Sequence, residues 1–209
     1  GQMAFVINNH LADLMPGMTE NDVSLVVAPL SHGAGIHQLI QVARAVPSVL
    51  TEARSLDAGE VFRLIETHRV TNIFTVPSIL SALVSDPAVD AHDHTSLRYV
   101  IYAGAPMLRE HQKAALEKLG PCLVQYFGLG EVTGNITALP PHLHEIADGP
   151  GVRIGTCGVA RTGIQIEIQD DSGRALPAYE NGEICVIGPA VFNGYYRNDA
   201  ANEAAFRNG

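Results

Sequence analysis

The feature that most constrains the fold is a regular alternation of short apolar runs with amphipathic stretches through the first two thirds of the 209 residues. Ser24 to Leu30, Pro47 to Thr51, Val70 to Val76, Leu97 to Ala103 and Cys122 to Phe127 read as buried strands. Between them the apolar spacing is helical. Residues 3–15 carry Ile7, Leu11, Leu14 and Met15 on one face, and Ile36, Leu39, Ile40 and Ala43 form a second stripe. Asp57 caps a third helix through about Arg69, with Val61, Phe62, Leu64 and Ile65 facing inward. Pro77 opens a helix over Ser78 to Val84, and Pro106 to Gly120 has proline at its start and glycine at its end. Strands alternating with helices require right-handed crossovers, hence an α/β fold with a mostly parallel sheet flanked by helices.

The pattern changes after Leu139. Pro140 to Gly151 is loop chemistry. Gly163 to Tyr196 alternates apolar and polar residues, with a turn signal at Asp170 to Gly173. The expected organisation is an α/β subdomain over residues 1–145, followed without a flexible linker by a smaller antiparallel β sheet or barrel-like subdomain over 146–209.

The stretch from Val124 to Leu139 carries the chemistry. An apolar run stops at Gly128 and Gly130, and the next residue is the carboxylate Glu131. Glycines let the backbone approach a ligand closely. A carboxylate just beyond the carboxyl end of a strand stands where open α/β sheets bind ligands. The place suits Mg²⁺, which one or two carboxylates hold together with the substrate's phosphates.

Charge and cysteine usage narrow the partners. The formal net charge is −9 and the 13 Lys and Arg are scattered, so the surface repels nucleic acid and anionic membrane. No apolar run reaches membrane-spanning length, and the signal-peptide pattern is absent from the start. Cys122, Cys157 and Cys185 are odd in number and widely spaced, which fits reduced thiols in a cytoplasmic protein.

Five stretches occur in a set order: "APLSHGAG" (Ala28 to Gly35), "VTNIFTVPSIL" (Val70 to Leu80), "YVIYAGAPM" (Tyr99 to Met107), "QYFGLGEVTG" (Gln125 to Gly134) and "NGEICVIGPAVFNGYY" (Asn181 to Tyr196). Together they resemble the adenylate-forming superfamily of acyl-CoA synthetases, aryl-CoA ligases, luciferases and peptide-synthetase adenylation domains. The resemblance implies a reaction in two steps. A carboxylic acid attacks the α-phosphate of ATP to give an acyl-adenylate and pyrophosphate, and a thiol, usually that of coenzyme A, then takes the acyl group. It also implies residue roles. Glu131 matches the catalytic glutamate of the Y-G-x-T-E motif, a ligand of the ATP-bound Mg²⁺. Phe127 matches the aromatic against the adenine ring, and Gly104, Ala105 and Pro106 match the turn lining that pocket. Gly128 and Gly130 belong to the nucleotide side. His32 and Gly35 match the segment near the carboxylate being activated, and Leu129, with Gly128, borders the acyl pocket. The small residues Gly33, Ala34, Gly128 and Gly130 point to room for a bulky acyl chain.

Some positions depart from the pattern. Gly130 stands where the family has a threonine that contacts phosphate, with Thr133 a possible substitute. Asp199 and Asn202 replace a proline and a threonine of the last motif. The family's phosphate loop, ribose-binding aspartate and C-terminal lid domain with its lysine have no counterpart in the sequence. The expectation is a central piece of a synthetase that is inactive by itself. Other readings are a degenerate relative acting as an interaction domain, or an adenylation module of another branch. A dinucleotide site fits poorly, because Gly128, Gly130 and Gly134 are spaced one residue too long. The pairs His92/His94 and His142/His144 have metal-ligand spacing but lie in polar loops, where surface histidines are the simpler account.

Overall fold

The computed structural model describes residues 1–52 and 55–207. The last two residues of the expected second subdomain lie outside the described residues. Five strands run parallel: β1 (Ser24–Val26), β2 (Ser48–Leu50), β3 (Asn72–Thr75), β4 (Tyr99–Tyr102) and β5 (Leu123–Phe127). Two more continue the sheet antiparallel to their neighbours, β6 (Thr137–Leu139) beside β5 and β7 (Val159–Ala160) beside β6. The strand order is β2-β1-β3-β4-β5-β6-β7.

Six helices accompany the strands: α1 (Gln2–Leu14), α2 (Gly33–Ala43), α3 (Ala58–His68), α4 (Pro77–Ser85), α5 (Ala88–Ala91) and α6 (Arg109–Leu119). Successive strand residues point to opposite faces, and here both faces are covered. Ile73, Val100 and Leu123 share a core with Phe62 and Ile65 of α3 and Leu80 and Leu83 of α4. Phe74, Ile101 and Val124, their neighbours in sequence, pack with Leu14, Met15 and Ile40 from the α1–α2 side. Runs apolar on both faces are what a helix-covered parallel sheet needs.

The helix punctuation acts as local chemistry dictates. The Asp57 carboxylate accepts from the Glu60 backbone N–H at 3.0 Å, and α3 ends on Arg69 in the left-handed region. Pro77 occupies the first turn of α4, where its missing N–H costs nothing. Pro106 does not open α6. Gly104 takes a φ of +87° and Leu108 is still extended, so Gly104 to Leu108 form a turn and the helix starts at Arg109. The first strand is also shorter than its apolar run: pairing stops at Val26, before Pro29, which has no N–H to give a ladder.

The inward face of α2 differs from the apolar stripe. Ala34, His37, Ile40 and Gln41 are buried, whereas Leu39 is 45% and Val42 75% exposed. The polar pair turns inward because β3 offers it a partner. Asn72 Oδ1 accepts from Gln41 Nε2 at 3.1 Å and lies 3.0 Å from His37 Nε2.

Beyond β7, β8 (Gln165–Gln169) and β9 (Glu183–Ile187) form a separate antiparallel pair, and α7 (Asp199–Ala205) follows. The turn after β8 forms as expected, with Asp170 Oδ1 accepting from the Ser172 and Arg174 backbone N–H groups. The residues after it make a single bridge, Gln169 to Ala175, and the true partner strand comes later. Ile164, Ile166, Val186 and Ala190 pack on Phe5 and Val6 of α1 and on Ile36 of α2, which fixes the pair against the larger sheet. Among the described residues no helix is long and apolar enough to cross a membrane.

Candidate active site

Parallel strands deliver all their carboxyl ends to one edge. Thr75 is level with Tyr102, and Tyr102 with Gln125. The segments leaving β1, β3, β4 and β5 therefore emerge side by side, and these hold the candidate nucleotide and acid residues His32, Gly35, Gly104 to Pro106 and Phe127 to Glu131. His32 is the exposed N-cap of α2, with Nδ1 3.2 Å from the Ser31 carbonyl. Gly104, Ala105 and Pro106 are exposed in the turn after β4, and a side chain on Gly104 would stand 3.9 Å from Val76 of the neighbouring segment. Phe127 ends β5 half-buried, Gly128 follows it, and Leu129 and Gly130 are exposed. An open cleft of about 340 Å³ lies at the same edge, lined by Val26, Pro29, Leu50, Leu56 and Val61 among others; it does not include the Glu131 loop.

The Glu131 loop is a closely bonded platform. Gly130–Val132 forms one 3-10 turn. The Gly134 N–H donates to the Leu129 carbonyl at 2.8 Å, Asn135 N–H to Val132 at 3.0 Å, and Ile136 N–H to Phe127 at 3.2 Å. Thr133 and Gly134 are both left-handed, with φ of 53° and 70°. A threonine in that region holds strain of about 1 kcal/mol or more, the kind functional loops carry.

Glu131 is held from outside the loop as well. Its Oε1 accepts from the Tyr195 hydroxyl at 2.7 Å, and its backbone carbonyl accepts from the Phe192 N–H at 2.7 Å. The Tyr195 bond, and then Glu131's own backbone amide, hold the carboxyl below its usual range. Glu131 is thus an ionised, partly exposed carboxylate. Among the described residues no three Cys, His, Asp or Glu side chains converge on a metal position. An ionised, partly exposed carboxylate fits Mg²⁺, which one or two carboxylates hold together with a substrate's phosphates.

Several of the small residues mark close approaches. A Cβ on Gly33 would stand 2.9 Å from Phe74 Cζ and 3.1 Å from the Tyr126 hydroxyl. On Gly35 it would lie 2.1 Å from the Leu30 carbonyl oxygen, and on Gly128 2.2 Å from the Gly134 carbonyl carbon. Ala34 is buried in the core. Only Gly130 of these has open space around it, so a threonine side chain at that position would find room. Phe74 and Tyr126 pack under the first turn of α2.

Three of the four paired histidines, His92, His94 and His144, have structural partners. His92 Nδ1 is 2.8 Å from Glu66, and His94 Nε2 is 2.9 Å from the Lys118 carbonyl. His144 is not a surface residue of the loop. Its Nε2 lies 3.0 Å from the Tyr102 hydroxyl and its Nδ1 3.0 Å from the Pro140 carbonyl. Burial lowers its pKa from the usual 6.5 to about 4, against the opposing pull of the Pro140 carbonyl. His37 is lowered to about 4 by burial, opposed by Asn72. His10, buried beside it, is lowered well below 6.5 by burial, then by the charge of Arg161 and by His37.

These histidines are neutral in the fold and protonate more readily when unfolded. Between pH 6.5 and about 4 the unfolded chain binds more protons, so stability is present above the unfolded pKa and is lost as pH falls through this window. The expected loss from His37 alone is about 2 kcal/mol between pH 7 and pH 5. Urea midpoints across that range check it, and His37→Gln should flatten the slope.

The edge of a helix-covered parallel sheet, with a carboxylate on a glycine-flanked loop, is the architecture of a nucleotide-handling α/β enzyme. The chain belongs to the AMP-binding enzyme family, whose model matches residues 2–196. It is 33% identical over 194 residues to a 2-succinylbenzoate–CoA ligase of Bacillus velezensis, covering 92% of this chain and 37% of that protein. It is similar in structure to the amide bond synthetase McbA of Marinactinospora thermotolerans, with a TM-score of 0.87, 30% identity, and coverage of 100% of this chain and 40% of the other. It is also similar to the o-succinylbenzoate coenzyme A synthetase of Bacillus subtilis solved with ATP and magnesium, with a TM-score of 0.83, 28% identity, and coverage of 100% and 41%. The chain spans about a third of the length of the curated relatives it matches.

Tyr195, Phe192 and Asn202 were not assigned roles from the sequence. Their signal was the last motif, which contains Phe192 and Tyr195, but spacing gave no way to connect it with Glu131.

Proposed function

We propose that the whole protein is an AMP-forming acid–thiol ligase that activates a carboxylic acid with ATP and passes the acyl group to coenzyme A. The observation that carries this reading is the ionised Glu131 carboxylate, fixed on the loop after β5 at the sheet edge shared with the Gly104–Pro106 turn. Family membership and CoA-ligase relatives support it.

Mg²⁺, when bound, would supply charge neutralisation for the α-phosphate as it becomes five-coordinate. The chain's own residues do the positioning. Glu131 would hold the cation, Phe127 would lie against the adenine, and the Gly104, Ala105 and Pro106 turn would line the same pocket. Gly128 and Gly130 let the backbone close on the nucleotide. His32 at the start of α2, with Gly35 and Leu129, would border the acid. The three free cysteines support a cytoplasmic protein.

The test is acid-dependent release of pyrophosphate from ATP by the full-length protein, with Mg²⁺, across short, aromatic and long-chain acids. One class of acid is expected to support release, and coenzyme A to convert the product to a thioester. No release with any acid would overturn the assignment. Transfer to an amine but not to coenzyme A would place the protein with the amide synthetases instead.

A further inference from the structure

The segment after β9 is bonded to the key carboxylate in a way that brings a second part of the sequence into the site. Tyr195 donates its hydroxyl to Glu131 Oε1 at 2.7 Å, and the Phe192 N–H donates to the Glu131 carbonyl at 2.7 Å. One short segment thus grips both the side chain and the main chain of Glu131, 64 residues away.

The grip is itself braced. Asn202, on α7, uses both ends of its amide on Tyr195: Oδ1 accepts from the Tyr195 N–H at 2.6 Å and Nδ2 donates to the Tyr195 carbonyl at 3.1 Å. Phe192 stacks on Phe206 at 5.4 Å and meets the Tyr195 ring edge-on at 4.8 Å. Gly194, at φ +125°, brings the chain so near Asn202 that a Cβ there would stand 2.9 Å from Oδ1. Asn198 caps α7 by accepting from the Ala201 N–H at 3.2 Å. A chain of contacts therefore runs from α7 through Asn202 to the Tyr195 phenol and on to Glu131.

We propose that Tyr195 is the positioning residue for the metal-holding carboxylate, and that Asn202 positions Tyr195. The inference rests on the reading that Glu131 holds the nucleotide's cation. A carboxylate offers about four lone-pair sites. The phenol takes one and fixes the rotamer, so the remaining oxygen is presented to the cation in one orientation. Without the phenol, a glutamate on an exposed turn spreads over several rotamers and meets the cation less often. The amide of Asn202 can serve both main-chain groups of Tyr195, which a threonine hydroxyl cannot do with the same geometry. This gives the departure at position 202 a physical purpose.

The test measures how far Mg²⁺ tightens ATP binding to the full-length protein, as the ratio of ATP dissociation constants in EDTA and in Mg²⁺ by calorimetry. Tyr195→Phe keeps the ring against Phe192 and removes only the hydroxyl. It should reduce that ratio about threefold to tenfold, as expected for a charge-assisted hydrogen bond near solvent, and leave metal-free ATP binding unchanged. Asn202→Ala should reduce it in the same direction. Glu131→Gln should bring the ratio close to unity, and adding Tyr195→Phe to it should have no further effect. A full ratio in both Tyr195→Phe and Asn202→Ala, with the ratio lost in Glu131→Gln, would overturn the positioning role while sparing the function. A full ratio in Glu131→Gln would overturn the metal assignment beneath both. A lowered melting temperature with the ratio intact would reduce Tyr195 to a structural brace and likewise overturn the proposal.

Discussion

Gly128→Ala should destabilise the protein by more than about 3 kcal/mol, at or beyond the upper end for overpacking a tight site. The new methyl carbon would stand 2.2 Å from the Gly134 carbonyl carbon and 2.4 Å from its Cα and O. These are backbone atoms, which cannot rotate aside as a long side chain does. Gly134 also has little freedom to retreat. Its N–H is bonded to the Leu129 carbonyl at 2.8 Å, its φ is +70°, and the Tyr126 ring lies behind it, 3.4 Å from where its own Cβ would be. Relief must come from opening the loop, which removes Glu131 from its place. Gly130→Ala, two residues along, is the control. Nothing lies within 4 Å of a Cβ there, and the change should move stability by no more than about 0.5 kcal/mol. Urea denaturation of both variants checks the contrast. Equal stability of the two would mean that the Gly128–Gly134 approach is not part of the native fold in solution.

What could be read from the sequence follows the range over which each signal acts. The Asp57 cap, the Pro77 helix start and the inward face of α3 are set within a few residues, and each formed where the pattern put it. The parallel sheet was legible because the alternation of strand and helix leaves few topologies. Signals that depend on a distant partner were not legible. Leu39 lies on the apolar stripe of α2, yet it is His37 and Gln41 that turn inward, because Asn72 of β3 supplies their partner. The small residues of the site showed that something comes close, but not what. At Gly33 it is Phe74 and Tyr126, and at Gly128 the chain itself. The link between Tyr195 and Glu131 joins two motifs that were each visible. No local periodicity connects residues so far apart, so only the packed fold reveals it.

Glu131→Gln should lower adenylate formation by the full-length protein by about 10²- to 10³-fold, equivalent to about 3–4 kcal/mol of transition-state stabilisation. The substitution is close to isosteric and the amide oxygen can still accept from Tyr195, so the loop is expected to stay folded. What is lost is the negative charge and, on the proposed reading, the hold on a divalent cation against the phosphates. The loss should fall on kcat more than on the KM for the acid. On the proposed reading the attacking carboxylate would be bound elsewhere on the sheet edge, whereas negative charge on the phosphoryl oxygens grows only as the reaction proceeds. Melting temperature should change little, because the side chain is partly exposed and buries no apolar surface in the core. Pyrophosphate release measured against Mg²⁺ concentration separates the causes. If raising Mg²⁺ restores the rate, the carboxylate contributes affinity for the cation. If the rate stays low at saturating Mg²⁺, its place is in the transition state. A variant with the wild-type rate at every Mg²⁺ concentration would remove Glu131 from the chemistry altogether.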